Sequence, residues 1–437
     1  MGLLKNYSQF FKYINPIFMK IKVFGVEQNL FFIIYKLFTS KNYNLFKIIT
    51  GLLFLLLIII LYPIIKIKII EIETRAIGHS SISLEIFLAE IENGIINKKR
   101  TIFLCFTNKR IANNFLLNKW KNYFYIKKFF FLEIAWIILT KYYFIGKFFL
   151  PYRHWKNHKI WQIRDTHNLL PKTRPFIIFN DQEKELGKKL LKKIGIRNSE
   201  EYFCFFARDH SYRNQFETDG KDSVRNSNVN DQLKGIQLII NKNLKAIRVG
   251  SVVNEKLNIK NSNIIDYPSS GLRSDFLDLF LIFHCNFMIS TGSGIENLAT
   301  LNRKKVLQVN YIGLENLHNL SNDIYYPIIL PKKYINLKTN KLLTFKEIFQ
   351  SRLHSESFLK KDLMSIGFAL IDNTENEIKD AILEMDKFIK SKKETAFEND
   401  NANNEFWEIY KFYHNGYCPQ NIKISEKFLH KNKNLLS

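Results

Sequence analysis

The run Met288-Ile-Ser-Thr-Gly-Ser-Gly-Ile-Glu296 constrains this chain more than any other segment. A short apolar strand ending at Ser290 passes through Thr291, Gly292, Ser293 and Gly294 into the helical pattern Ile295-Glu-Asn-Leu-Ala-Thr-Leu301. A strand that stops there leaves backbone N–H groups at the following helix start. Small residues let an anion come close, and the helix dipole favours its charge. Neighbouring segments repeat the alternation, with strands predicted at 201–207, 246–249, 263–266, 287–290 and 305–309 and helices at 231–241, 275–284 and 295–301. That pattern predicts a doubly wound α/β domain with the turn on its rim, where such folds bind ligands.

The 437 residues exceed one core and imply two domains with appendages. A hydrophobic content of 46% excludes a largely disordered chain. The net charge of +25 suggests nucleic acid or an anionic membrane as partner. Heavy use of Lys, Asn, Ile and Phe discounts it in part, because an A+T-rich coding sequence would produce the same bias. No nucleic-acid-binding module accompanies the basic residues, so no nucleic acid partner is expected. Cys105, Cys204, Cys285 and Cys418 are widely spaced and read as reduced core residues of a cytosolic protein, neither disulfides nor a zinc site.

The apolar run 48–65 lies between Lys47 and Lys66, at the lower length limit for a spanning helix. A long basic segment precedes it and no small-residue cleavage site follows, so it is not a cleavable signal. A true span would hold the lysine-rich N-terminus in the cytoplasm and export the rest, away from nucleotides. Pro63 and the following Lys66 and Lys68 favour an interfacial anchor, with a single span as the alternative. The expected divisions are a basic aromatic segment at 1–46, the anchor at 47–66, a first α/β domain at 67–175, a second at 176–345 and a helical extension at 346–437. In the first domain, strand 67–73, a turn at 76–81, an amphipathic helix at 82–92 capped by Ser80 or Ser81, strand 101–107 and helix 111–120 form a β-α-β start. Residues 120–161 mix aromatics with lysines, which a membrane-facing surface and buried helices explain equally well. A polar linker is expected around 398–404, after a helix at 375–389.

Charged residues cluster at predicted strand ends. Arg208, Asp209, Tyr212 and Arg213 follow strand 201–207, and Arg225 and Asn226 add donors in the same long loop. Arginine suits a diphosphate, since its planar fork donates two hydrogen bonds and keeps its charge; the plain alternative is a surface Arg–Asp pair. Arg248, followed by Gly250, ends another strand among apolar neighbours and needs a phosphate or a carboxylate such as Asp266. Asp266 could bind a ribose or base edge, and Tyr267 offers a stacking face. Arg273 precedes Asp275, which could simply cap the next helix. Gly78 and His79 sit between the first strand and helix, where histidine could serve as a general base or only as a hydrogen-bonding residue. Glu296 could fix a ligand hydroxyl or satisfy an N-terminal N–H. There is no Asp-x-Asp metal motif, no phosphate-binding Gly-Lys-Ser/Thr loop and no Gly-x-Ser-x-Gly elbow, so no metal and no cofactor are expected.

In order and spacing, several pieces together resemble a largely uncharacterised family of bacterial glycosyltransferases associated with surface polysaccharides. They are Arg75-Ala-Ile-Gly-His79, Phe205-Phe-Ala-Arg-Asp-His-Ser-Tyr212, Arg225-Asn226, Ile247-Arg-Val-Gly250, Ile265-Asp-Tyr267, Arg273-Ser-Asp-Phe276, Thr291-Gly-Ser-Gly294, Ile371-Asp-Asn-Thr374 and the tail Ser425-Glu-Lys-Phe-Leu429 with Asn434-Leu-Leu436. The sequence departs from that pattern at Asn228 and Asn230, where aspartate is usual. The resemblance covers about residue 64 to the end of the chain. It implies a GT-B fold, two Rossmann-like doubly wound domains facing a cleft, here preceded by the hydrophobic membrane helix. It also implies a nucleotide-sugar donor on the second domain and a lipid-linked or cell-surface glycan acceptor on the first. It brings no established catalytic residue; placement makes His79 the acceptor base and Arg208 the diphosphate clamp. The expected setting is the cytoplasmic face of the membrane. The alternative is a non-catalytic membrane-associated protein that binds a nucleotide sugar or glycan on a degenerate GT-B fold.

Overall fold

The structure is a computed structural model that describes residues 45–437 apart from 108–109, 128, 142, 152–163, 216–221, 315–316, 318–319, 321, 352, 354–358, 394–399 and 417, and apart from the side chains of 143, 144 and 213. The expectations for 1–44 and for 152–161 lie outside the described residues. The chain divides into two compact units, one of Met1–Thr74, Asn93–Arg110 and Lys121–Gln162, the other of Arg75–Glu92, Ile111–Trp120 and Ile163–Ser437.

In the first unit, β1 (Lys66–Glu71) pairs in parallel with β2 (Thr101–Phe106), which pairs in parallel with β3 (Tyr125–Lys127). Two helices, Leu45–Leu61 and Phe130–Lys141, cover the sheet through a core that includes Ile48, Ile58, Ile67, Ile69, Phe106, Ile134 and Ala135. Beyond the strand ends, the buried hydroxyls of Thr74 and Thr107 lie 2.7 Å apart. Among the described residues no helix is long and apolar enough to cross a membrane.

The second unit is built on seven parallel strands: β4 (Glu201–Phe205), β5 (Leu244–Arg248), β6 (Ile264–Asp266), β7 (Phe287–Ser290), β8 (Lys305–Tyr311), β9 (Ile328–Pro331) and, further along, β13 (Lys423–Ile424). Their order is β13-β9-β8-β7-β4-β5-β6. Counted from β4, the first six strands lie in the order 3-2-1-4-5-6 of doubly wound nucleotide-binding sheets, and the winding reverses between β4 and β7. All four residues of β7 and of β9 are buried, as expected of a parallel sheet covered on both faces. The mixed α/β architecture with parallel sheets read from the alternation is therefore present.

Local differences from the sequence reading have physical causes. The first helix of this unit starts at Ile77, so Ser80 and Ser81 lie inside it, bonding back to the carbonyls of Ile77 and Gly78 at 3.1 and 2.9 Å instead of capping it. It is also not amphipathic: eleven of its sixteen positions are buried, so it is enclosed on most sides. The C-terminal hundred residues are not wholly helical. Two of their strands, β11 (Lys341–Leu342) and β12 (Phe368–Ile371), form a small antiparallel sheet with the preceding β10 (Lys333–Asn336), and β13 adds to the main sheet. The polar stretch after 400 is not a linker: Asp400 caps a helix, Asn401–Tyr413, whose Phe406, Trp407 and Tyr410 are buried. The motif Ile371-Asp-Asn-Thr374 is a clasp. Asn310 and Asn373 exchange backbone-to-side-chain bonds of 2.8 and 2.6 Å, Asn373 also donates to the Pro331 carbonyl, and Thr374 caps helix Glu375–Ser391.

Candidate functional site

The crevice of such a sheet opens where the winding reverses, at the carboxyl ends of β4 and β7. These strands pair at Phe205 and Ile289, and the Phe206 N–H still donates to the Ile289 carbonyl at 2.9 Å. Past that point the chain ends turn inward on one another. The Arg208 N–H donates to the Thr291 hydroxyl at 2.9 Å, and the Arg208 carbonyl accepts from the Ser227 N–H at 2.9 Å. The Arg225 guanidinium donates to the Gly292 carbonyl. The Tyr212 hydroxyl donates to the Arg75 carbonyl at 3.2 Å. A Cβ on Gly78 would fall 2.7 Å from the Gly294 Cα, so helix Ile77–Glu92 begins backbone against backbone on the Gly/Ser turn. Four segments far apart in sequence, 75–79, 206–213, 225–227 and 291–294, thus meet at one strand-end rim. His79 stands in the first turn of that helix, half-buried. Arg213 lies on the short helix Ser211–Asn214, with its side chain outside the described set.

Underneath this rim the turn is wired differently from the sequence expectation. The Gly292 N–H donates to Gln308 Oε1 at 2.8 Å and the Ser293 N–H to Glu296 Oε2 at 3.0 Å. Gln308 Nε2 then donates to Glu296 Oε1 at 2.6 Å, closing a loop of bonds beneath the turn. Two of the N–H groups expected to face an anion are therefore taken internally. Glu296 satisfies an N-terminal N–H, the plainer of the two roles the sequence allowed. Its burial raises the carboxyl to about 7, against the opposing pull of donors that include Ser293 and Gln308.

At the ends of β5 and β6 the charges pair among themselves. Arg248, 2% exposed, donates from Nη1 to the Glu255 carbonyl at 2.5 Å and lies 3.6 Å from Asp266 Oδ1. Burial lowers its pKa, with Asp266 opposing. Asp266 also accepts from the Ser269 hydroxyl at 2.9 Å. Gly250 follows with φ of 146°. Tyr267 is wholly buried and offers no stacking face: its hydroxyl donates to Asp278 at 2.8 Å and accepts from the Ser274 N–H at 3.0 Å, and burial pushes its pKa far up. Arg273 pairs with Asp278 at 2.9 Å and Asp275 at 3.2 Å. Ser274, not Asp275, caps helix Asp275–His284, while Asp275 accepts from the Asn114 N–H at 2.8 Å. Asp209 is likewise engaged, by the N–H groups of Ser211 and Asn254 at 2.9 and 2.8 Å.

Two residues that sequence reasoning passed over organise the site. Lys332, buried, donates to the carbonyls of Val224 and Asn226 at 3.0 Å and pairs with Asp372 at 2.7 Å, so it anchors the segment that carries Arg225. Burial lowers its pKa, with Asp372 opposing. The signal was present: a charge directly after the apolar run Ile328-Ile-Leu-Pro331, the same pattern that drew attention to Arg248. Arg303 is the other, pairing at 2.9 Å with Glu85, a buried carboxyl in the helix that abuts the turn. Among the described residues, the one trio of possible metal ligands is Asp400, Glu426 and His430, away from these strand ends.

No protein-family model and no curated protein matches the sequence. A solved structure of E. coli ADP-heptose LPS heptosyltransferase II is similar over 55% of this chain and 84% of that one, with 12% identity and a TM-score of 0.30. A likeness that slight carries no argument about activity.

Proposed function

We propose that this protein is a metal-independent glycosyltransferase of the GT-B type, moving a sugar from a nucleotide-sugar donor to a lipid-linked or cell-surface glycan acceptor at the cytoplasmic face of the membrane. One observation carries the reading. The arginine-bearing segments 206–213 and 225–227 converge with Gly78 and Thr291 at the reversal point of a parallel sheet, where folds of this order take nucleotides. In this reading the donor diphosphate lies against Arg208 and Arg225, and His79 accepts the proton of the attacking hydroxyl. The bond from the anomeric carbon to the diphosphate breaks as the glycosidic bond forms, and the arginines stabilise the charge of the departing diphosphate. Arg208→Ala and Arg225→Ala should each weaken a nucleoside diphosphate by about tenfold to a hundredfold, the range of a charge-assisted bond, while leaving nucleoside affinity nearly intact. Equal loss of both ligands in thermal-shift titrations would make these arginines structural. Unchanged sugar transfer by His79→Ala would place the base elsewhere.

One observation favours a second reading. A buried carboxyl, Glu296, occupies the turn and consumes its Ser293 N–H, which leaves fewer donors there for a diphosphate. A non-catalytic nucleotide-sugar or glycan-binding protein on a degenerate GT-B fold would tolerate that. Nucleotide-sugar binding with no turnover on any acceptor, and no donor hydrolysis, is its signature.

A further inference from the structure

The first unit carries a surface that the transfer chemistry does not use. Helix Leu45–Leu61 has two opposite stripes. Ile48, Gly51, Leu55 and Ile58 are buried, and a Cβ on Gly51 would fall 2.5 Å from Ile134, so this side is locked against helix Phe130–Lys141. On the other side Phe46, Ile49, Leu53, Leu57, Ile60 and, just past the helix, Ile64 recur every three or four residues and are 45–66% exposed. A continuous apolar stripe of this kind on a folded surface marks an interaction site.

The surroundings identify the occupant. At the C-terminal end of the helix the Lys66 N–H donates to the Arg100 carbonyl at 2.8 Å, which sets Lys66 beside the exposed run Lys98-Lys-Arg100. Lys127, Lys141 and Lys147 are exposed elsewhere in the unit, and its acids among the described residues are Glu71, Glu73 and Glu133. A second copy of such a face would bring like charges together, whereas anionic lipid headgroups complement them. Within the described residues the helix rises about 25 Å, short of the roughly 30 Å hydrocarbon core, and one long side is already committed to protein, which points to an in-plane orientation. We propose that the exposed stripe of this helix inserts into a single leaflet of an anionic bilayer, its axis in the membrane plane and the cationic residues at the headgroups.

The proposal deepens the membrane-face reading above and rests on it, but not on the transfer chemistry. It is tested with the full chain by flotation on vesicles of phosphatidylcholine alone and of phosphatidylcholine with phosphatidylglycerol. The anionic vesicles should bind at least tenfold more tightly, with the advantage falling as salt rises. The triple variant Leu53→Asp, Leu57→Asp, Ile60→Asp should lose at least tenfold in vesicle affinity with an unchanged melting temperature, since these side chains face outward. Unchanged vesicle affinity in that variant, equal affinity for both vesicles, or a wild-type dimer that the variant dissociates would overturn it. Depth is read from fluorophores on Leu53→Cys and Ile60→Cys in a Cys418→Ser background. Equal quenching by shallow spin-labelled lipid is expected, and a depth gradient between the two positions would instead show a span. Nucleotide-sugar turnover on a soluble acceptor, measured on the same preparations, separates failure of this proposal from failure of the enzymatic reading.

Discussion

Two sets of strand-end charges in the same sheet behave in opposite ways. At β5 and β6, Arg248 and Arg273 face Asp266, Asp275 and Asp278, and every one of these groups is spent on a neighbour. At β4 and β7, the Arg208 backbone N–H donates to the Thr291 hydroxyl and the Arg225 guanidinium to the Gly292 carbonyl, so both segments are tied to the turn. In sequence Arg208 and Arg248 look alike, each an arginine at the end of an apolar run. The register differs: Arg248 stands directly across from Asp266 on β6, while Phe205 and Ile289 face each other at the end of β4 and β7. A charge paired across the register with its counter-ion contributes to folding, whereas the segments bearing Arg208 and Arg225 are held at the Gly/Ser turn where the winding reverses.

The comparison breaks most sharply at Arg248. Arg248→Ala removes one partner of a pair that is buried on the arginine side, and should cost about 3 to 4 kcal/mol in urea unfolding, toward the low end for buried pairs because Asp266 reaches water. Nucleoside-diphosphate affinity, measured where the variant is still folded, should move less than twofold. A selective loss of diphosphate affinity would put Arg248 in the ligand site and erase the distinction.

Glu296 gives the next effect, and it has a sign. Its unfolded carboxyl ionises near 4.5 and its folded one near 7. Between those values the unfolded chain holds fewer protons, so this contribution to stability is complete below about 4.5, declines as pH rises toward 7 and is flat above. At about 1.4 kcal/mol per pKa unit the difference amounts to about 3 kcal/mol. Wild type should therefore lose that much relative to Glu296→Gln between pH 4.5 and 7.5. Parallel stability curves for the two proteins would show that the carboxyl is ionised throughout, with the loop of bonds from Gly292 to Gln308 stronger than its burial.

Periodicity made the second unit legible. The strands of β4 to β8 fell within a few residues of their predicted places because each is an apolar run between polar turns, and a parallel sheet covered on both faces demands such runs. Three things were not legible. The two-residue β13 and β11 are too short to carry a pattern. Helix Ile77–Glu92 looked like the surface helix of a first domain, but the packing that encloses it comes from residues two hundred positions away, at Gly294 and Arg303. The choice between phosphate and carboxylate for Arg248 was open as well: the sequence named Asp266 as a candidate, and only the register of β5 against β6 puts it across the strand. Gly78, Tyr212, Arg225 and the Thr291 turn were each marked singly, and only the fold shows that they touch.

That touch is the next test. Gly78→Ala forces a methyl group to within 2.7 Å of the Gly294 backbone, where no side chain can swing aside. An overpacking cost of about 1 to 3 kcal/mol is expected, together with weaker nucleotide binding as the turn is displaced. Ala at a turn-to-helix start that merely faced solvent would instead be neutral or slightly stabilising, so a raised melting temperature would remove the helix from the site.

The smallest effect checks the closed side. Tyr267→Phe deletes a hydroxyl that donates to Asp278 and accepts from the Ser274 N–H without changing the packing of the ring. Asp278 retains Arg273 at 2.9 Å, so the charge stays compensated and the cost should be about 1 to 2 kcal/mol. Burial raises the Asp278 carboxyl to about 6, and the tyrosine hydroxyl bond holds it lower than burial alone would. Losing that bond should raise the carboxyl further, so the penalty of Tyr267→Phe should be larger at pH 8 than at pH 5. Nucleotide affinity should not change at either pH. A variant that stays stable while losing affinity for the nucleoside itself would show that the ring, buried as it is, becomes a base-stacking surface when ligand binds, and that the β5–β6 edge opens.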